Sequence, residues 1–203
     1  MKNEFLFKAI KRKNLKHNAY GVNRVNKSYK SDVYYATDLK SVVSLLEESG
    51  ENFSHLIWDP AVGGGNIPEV LIHNGYKVRC SDIVDRGYPN TEILDIYSYN
   101  DVWYGDIITH PPYKDTLAFL SKCLDIIDNG RKVAMFLKLS FLEGIERRKF
   151  FDENPPRTVA VFSKRVACAL NGNFKKSSGG AIAYAWYIWE KGYKGKPSIV
   201  WIN

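Results

Sequence analysis

Cysteine is scarce in this 203-residue chain: three residues, at positions 80, 123 and 168, odd in number and widely separated. That pattern argues against a disulfide framework and predicts reduced thiols in a cytoplasmic protein. Four scattered histidines and the missing Cys/His spacing give no zinc motif. No apolar run is long enough to span a bilayer, so no membrane partner is expected. The opening MKNEFLFKAIKRKN has a very short apolar stretch and no small-residue cleavage site, which disfavours a secretory signal. Internal repeats are also missing.

Acidic residues are nearly absent from the first thirty positions, which hold nine Lys/Arg and only Glu4. Residues 31–130 reverse this, with sixteen acids against six bases, and residues 131–203 return to fourteen bases against five acids. Solvated surface charge would explain this as well as function does. The sharper reading is a polyanionic partner, because clustered Lys/Arg releases phosphate counterions on binding. Residues 1–31 read as a basic arm and 32–203 as one folded domain.

Within that domain, strand-like and helix-like segments alternate. TDLKSVVSLLEESG predicts a helix capped by Thr37 or Asp38 and stopped at Gly50. HLIWDP, YKVRCSDI and GDIITHPP predict short strands. NIPEVLIHNG and DTLAFLSKCLDIIDNG predict helices, the second closing at Gly130. KVAMFLKLSFL predicts a long strand, GIERRKFFDEN a helix, and RTVAVFSKR and AIAYAWYIWEKG two further strands. The aromatics Trp186, Trp189 and Trp201 read as core and sheet residues. Residues 166–180 form a polar, basic loop. Such alternation predicts an α/β fold with a mostly parallel sheet and helices on both faces.

Three strand ends carry unusual residues. DPAVGGGN, residues 59–66, is a glycine turn opening a helix, without the Walker lysine and without GxGxxG. Its leading Asp59 disfavours a phosphate ligand and tolerates a cationic one. Asp82 ends the next strand about twenty residues later, where a carboxylate can grip a ribose diol; a turn aspartate is the plainer alternative. His110-Pro111-Pro112-Tyr113 is a stiff turn, since each proline fixes φ and removes a donor. It can present an outward carbonyl and a flat ring to a planar amine, and a simple turn with a core tyrosine explains it equally well.

Taken together, these motifs over residues 32–203 resemble the class I S-adenosylmethionine-dependent methyltransferases, and within them the phage-type adenine-N6 DNA methyltransferase family. DPAVGGGN is similar to the first motif, SDIVDRGYPNTEILDIYS to the second and third, and THPPY to the fourth, which is usually [DNS]-P-P-[YFW]. The resemblance implies a Rossmann-like methyltransferase fold with a seven-stranded, mostly parallel sheet whose last strand is antiparallel. It implies S-adenosylmethionine as cofactor, with Asp59, Ala61, Gly63 and Gly65 around its methionine part. Asp82 would take the ribose hydroxyls, Ile83 would pack on the adenine ring, and Asp95 with Ile96 would hold its amino group. Tyr35 and Thr37 would close over the methionine carboxylate, although Asp38 stands where the family usually has proline.

For catalysis, the resemblance implies that Tyr113 stacks on a flipped-out adenine. The Pro111 carbonyl and the side chain at 110 would accept hydrogen bonds from its exocyclic amine, on a turn stiffened by Pro112. His110 departs from the family's Asn or Asp, and only a neutral imidazole can accept there. Three functions therefore stay open. One is an adenine-N6 DNA methyltransferase, the second a catalytically degenerate fold that binds nucleic acid or a protein partner. The third is a methyltransferase for RNA or protein glutamine.

Removal of residues 1–30 is expected to weaken nucleic-acid binding by at least about tenfold at low salt and to flatten its salt dependence. Cofactor affinity should be unchanged. Titrations at two salt concentrations check this, and an unaltered salt slope would contradict it.

Overall fold

The computed structural model describes residues 35–170, 172–173 and 182–203. The predicted arm 1–31, the start of the domain at 32 and most of the basic loop 166–180 lie outside these residues.

Among the described residues, ten strands and four α-helices follow in chain order. They are β1 (Tyr35–Thr37), α1 (Leu39–Glu48), β2 (Leu56–Asp59), α2 (Asn66–His73), β3 (Lys77–Asp82), β4 (Thr91–Ile93) and β5 (Asp106–Thr109). Then come α3 (Thr116–Ile126), β6 (Lys132–Lys138), α4 (Ile145–Glu153), β7 (Thr158–Phe162), β8 (Cys168–Leu170), β9 (Tyr184–Glu190) and β10 (Ser198–Ile202). The main sheet has eight strands in the order β10-β7-β9-β6-β5-β2-β3-β4, and β1 pairs with β8 in a separate two-stranded ribbon. All main-sheet pairings are parallel except those of β9, which runs antiparallel to both β6 and β7.

Alternation along the strands explains the layers. Ile57, Ile108, Ala134, Phe136, Trp186 and Ile188 face one side, where Val42 and Leu45 of α1 and Val70 and Leu71 of α2 cover them. Trp58, Ile107, Val133, Met135, Tyr187 and Trp189 face the other, under Phe119, Leu120 and Cys123 of α3. Each such buried side chain contributes on the order of 1.5–3 kcal/mol relative to exposure. Asp38 caps α1, its Oδ1 accepting from the Lys40 amide at 3.0 Å. Among the described residues no helix is long and apolar enough to cross a membrane.

Several expectations need correction. The sheet has eight strands rather than seven, and the antiparallel strand is the second to last. SIVWI adds β10 as a parallel edge on β7, with Val200 and Ile202 turned to the core. Trp201 belongs to this strand but is 71 % exposed, so it is a sheet residue and not a core one. The strand predicted over KVAMFLKLSFL stops at Lys138, because its partner β9 begins at the paired Tyr184. A 3₁₀ turn, Leu139–Leu142, follows. Helix α3 ends at Ile126 instead of running to Gly130, since the Trp103 amide donates to the Ile126 carbonyl and pulls the chain into a bridge.

Gly105 lets β5 lie close against β2. A Cβ there would stand 2.3 Å from the Leu56 carbonyl oxygen and 3.0 Å from the Trp103 ring. Gly105→Ala is therefore expected to cost about 1–3 kcal/mol as an overpacking change. A denaturant midpoint equal to that of the parent would contradict this.

Candidate active site

From β2 the chain runs outward through β3 and β4, then returns to place β5 on the other side of β2. The carboxyl ends of β2 and β5 thus bound the switch point, where parallel α/β sheets open a crevice. Asp59 ends β2, Asp82 ends β3, and the His110–Tyr113 turn follows β5. Because β9 is antiparallel, it brings its first residue, Tyr184, to the same edge.

Asp59 is 1 % exposed. Its Oδ1 accepts from the Thr109 hydroxyl at 2.7 Å and from the Ala61 amide at 3.2 Å. Its Oδ2 is buried and has no hydrogen-bond partner among the described residues. Burial pushes the carboxyl up to about 7, against these two hydrogen bonds and with a further push from the Asp82 charge. An orphaned buried acceptor is a costly feature and a natural receptor for a donor or cation.

The glycine turn is stitched to β3. The Val62 amide donates to the Ser81 carbonyl, and the Gly63 amide donates to Asp82 Oδ2 at 2.9 Å. Asp82 Oδ1 accepts from the Val84 amide at 3.1 Å, and the Arg86 Nε lies 3.5 Å from Oδ2. Beside it, Ile83 is 61 % exposed and offers an apolar surface. Gly65 has φ +85°, and a Cβ on it would stand 2.0 Å from the Tyr88 ring, so only glycine fits there. Asp95 Oδ1 caps the 3₁₀ turn Ile96–Ser98 by accepting from the Tyr97 amide at 3.0 Å. The Ile96 side chain is buried in the core beneath this turn, so only its backbone faces the strand ends.

Strand β1 lies over the crevice. Tyr35, Ala36 and Thr37 line a narrow cleft together with residues 61–64, Asn66, Ile67 and His110. The Asn66 amide group donates to the Thr37 carbonyl at 2.9 Å, tying β1 to the glycine turn. Thr37 Oγ1 stands 3.0 Å from His110 Nδ1, and the Tyr113 hydroxyl 3.1 Å from His110 Nε2. The same hydroxyl reaches Tyr184 Oη at 3.3 Å and Cys168 Sγ at 3.7 Å. Burial lowers His110 to about 4, so its ring is neutral at pH 7. Pro111 is buried and Pro112 exposed. The Pro112 carbonyl accepts from the Thr116 hydroxyl at 3.0 Å. The Tyr113 ring packs 5.1 Å from Tyr35, with the Lys138 ammonium 4.5 Å over its face.

The structure therefore brings Tyr35, Thr37, Ala61, Gly63 and His110 to one cleft, with Asp59 buried behind the Ala61 amide and Asp82 and Ile83 at the adjoining strand end. It leaves Asp95 and the Ile96 side chain in structural roles of their own. Sequence reading missed Asn66, Thr109, Tyr88, Lys138, Cys168 and Tyr184. Thr109 and Asn66 lie inside the THPPY and DPAVGGGN motifs without a role assigned there, whereas Cys168 and Tyr184 carry no local signal. Among the described residues no group of three His, Cys, Asp or Glu side chains could hold a metal ion.

Neither a protein-family model nor a curated protein sequence matches the chain. Solved structures do. A type I restriction-modification system methyltransferase subunit from Streptococcus thermophilus superposes with a TM-score of 0.57 at 13 % identity, over 83 % of this chain and 47 % of that one. The type IIG restriction endonuclease BpuSI gives 0.57 at 15 % identity, over 88 % and 27 %. A SAM-dependent O-methyltransferase from Thermotoga maritima gives 0.53 at 15 % identity, over 88 % and 71 %. The chain spans less than half the length of the restriction-modification methyltransferase subunit and of the restriction endonuclease. Its fold is the Rossmann-like fold of these methyltransferases.

Asp59 and His110 impose opposite pH dependences. The folded Asp59 keeps its proton up to about 7 while the unfolded one ionises near 3.8, so its contribution to stability falls as pH rises between those values. Unfolded His110 takes up a proton near 6.5 and the folded one only near 4, so its contribution rises with pH across that window. Asp59→Asn is expected to gain stability relative to the parent between pH 4.5 and 8, by up to about 4 kcal/mol. Denaturant midpoints of both proteins across that range check this, and parallel curves would contradict it.

Proposed function

We propose that the protein is an S-adenosylmethionine-dependent methyltransferase acting on the exocyclic N6 amine of adenine in DNA, in the cytoplasm. The observation that carries this reading is the buried, unpartnered Oδ2 of Asp59 beside a glycine turn at the switch point. The residues present fit the cofactor. Asp59 offers an acceptor without a donor to a cationic methionine moiety, and Ala61, Gly63 and Gly65 leave the backbone open to it. Tyr35 and Thr37 line the same cleft, where they would close over the methionine carboxylate. Asp82 and the exposed Ile83 would meet the ribose and the adenine face, with Asp95 and the Ile96 backbone at its amino edge.

When bound, the cofactor supplies a methyl group on a positively charged sulfur. The protein's part is binding and orientation. An adenine amine carries two N–H donors. The Pro111 carbonyl, which has no donor among the described residues, and the neutral His110 Nε2 are two acceptors on one stiff turn. Accepting both hydrogens leaves the amine lone pair directed away from the ring plane. With its ring at about 4, His110 accepts a hydrogen bond without becoming charged itself. Pro112 holds the turn, and the Tyr113 ring is the stacking face for an extruded base, which costs a few kcal/mol to unstack. DNA as substrate is supported by the basic ends of the chain and by the restriction-modification proteins among its structural neighbours.

A second reading, a catalytically degenerate fold that binds nucleic acid or a protein partner, is favoured by one observation. Both ring nitrogens of His110 and the hydroxyl of Tyr113 are already engaged within the protein. Activity appearing only in His110→Asn would select this reading.

Labelled methyl transfer to adenine-containing duplex DNA is the expected result, with RNA and a glutamine-bearing peptide as comparison substrates. No transfer to any DNA, with the cofactor still bound, would overturn the proposal. Asp82→Ala should weaken cofactor binding most. Tyr113→Ala should retain cofactor binding and lose base stacking worth about 1–3 kcal/mol, a fall of roughly tenfold to a hundredfold in transfer.

A further inference from the structure

His110 is held from both sides, and the partners differ in donor strength. A neutral imidazole has one N–H donor and one lone-pair acceptor, and the heavy-atom positions alone do not say which is which. The Tyr113 phenol is the better donor of the two hydroxyls at the ring. Its shortest contact is to His110 Nε2, at 3.1 Å, against 3.3 Å to Tyr184 Oη and 3.7 Å to Cys168 Sγ. An imidazole nitrogen is also a stronger acceptor than a hydroxyl or a thiol. The phenolic proton therefore belongs on the line to Nε2. The Tyr113 oxygen is left to accept from Tyr184 or Cys168, and the imidazole proton must sit on Nδ1, donated to Thr37 Oγ1 at 3.0 Å. Phe136 stands edge-on to the ring at 5.2 Å and keeps it from turning over.

This inference rests on the proposed role of position 110 as an acceptor for a substrate amine. We propose that His110 is held as the Nδ1–H tautomer, its Nδ1 proton given to Thr37 and its Nε2 lone pair turned to Tyr113. The Tyr113 hydroxyl then caps the Nε2 lone pair in the place that an incoming amine N–H must take. The site is thus self-capped, and substrate enters only when Tyr113 leaves its seat against Tyr35, Tyr184 and the Lys138 ammonium. One movement frees the acceptor and presents the tyrosine ring to a planar base. The ribbon of β1 and β8 supplies both ends of the clamp, Thr37 on one strand and Cys168 on the other.

The test is nitrogen NMR on the full chain labelled with ¹⁵N-histidine at pH 7, with the His110 signals identified by their loss in His110→Gln. The parent is expected to show one tautomer, with a protonated, pyrrole-type Nδ1 and a pyridine-type Nε2. Tyr113→Phe should shift the Nε2 signal toward that of an unbonded pyridine-type nitrogen while Nδ1 stays protonated. Thr37→Val should keep the single Nδ1–H form, because the Tyr113 donor remains on Nε2, while the Nδ1 signal shifts as its acceptor is lost, and Thr37→Ser should return that signal to its parent position. A protonated Nε2 in the parent, read without any variant, would overturn the proposal. So would an Nε2 signal that does not move in Tyr113→Phe. None of these readings needs turnover. The expected spectra without methyl transfer to any substrate would leave the clamp standing and remove the methyltransferase reading. Transfer with a protonated Nε2 would do the reverse.

Discussion

A carboxylate buried at the end of a central strand with only one of its oxygens satisfied is the constraint around which this site is arranged. Thr109 from the neighbouring strand and the Ala61 amide of the glycine turn both serve Asp59 Oδ1, and neither reaches Oδ2. Burying an unpaired charge is expensive, so the group holds its proton to about 7 instead. The group ends β2 at the switch point, one turn from the cleft lined by Ala61 and Gly63. A cation arriving there would remove the desolvation penalty and ionise the acid in one step, so binding energy and proton release become coupled. The glycine turn is tied to both carboxylates, the Ala61 amide donating to Asp59 and the Gly63 amide to Asp82.

Across the same edge, a second polar chain runs through aromatic surroundings from Thr37 through His110 and Tyr113 to Tyr184 and Cys168. Its members come from β1, the turn after β5, β8 and β9, so it links the ribbon to the main sheet as well as organising the turn. Polar groups this enclosed are stable only when each finds a partner. His110 meets that demand with two hydroxyls, one on each nitrogen, and with a hydrogen bond to the Tyr35 backbone. The stiffness supplied by Pro111 and Pro112 holds the ring where both hydroxyls can reach it.

Much of this was legible in the sequence where the determinants are local. Alternating apolar residues placed β2, β3, β5, β7 and β9, Asp38 marked a helix start, and the strand-end motifs at Asp59, Asp82 and His110–Tyr113 converge in space as their order suggested. What escaped depends on distant partners. Lys138 ends β6 only because β9 begins at Tyr184, which no window around KVAMFLKLSFL contains. SIVWI became an eighth strand because β7 had an unpaired edge to offer it. Tyr184 and Cys168 reach the turn from more than fifty residues away. Trp201 illustrates the same limit from the other side: an aromatic in an alternating strand is core only if something covers that face, and at this edge nothing among the described residues does.

The account turns on Asp59 receiving a positive charge, and the most direct measurement is the proton balance of cofactor binding. S-adenosylmethionine should be titrated calorimetrically in buffers of different ionisation enthalpy at pH 6 and pH 9. With a carboxyl at about 7 that ionises on binding, close to one proton should be released per bound cofactor at about pH 6, and almost none at about pH 9. Tight binding at pH 6 with no buffer-dependent heat would show that the acid does not meet the cofactor's charge, and would contradict the account.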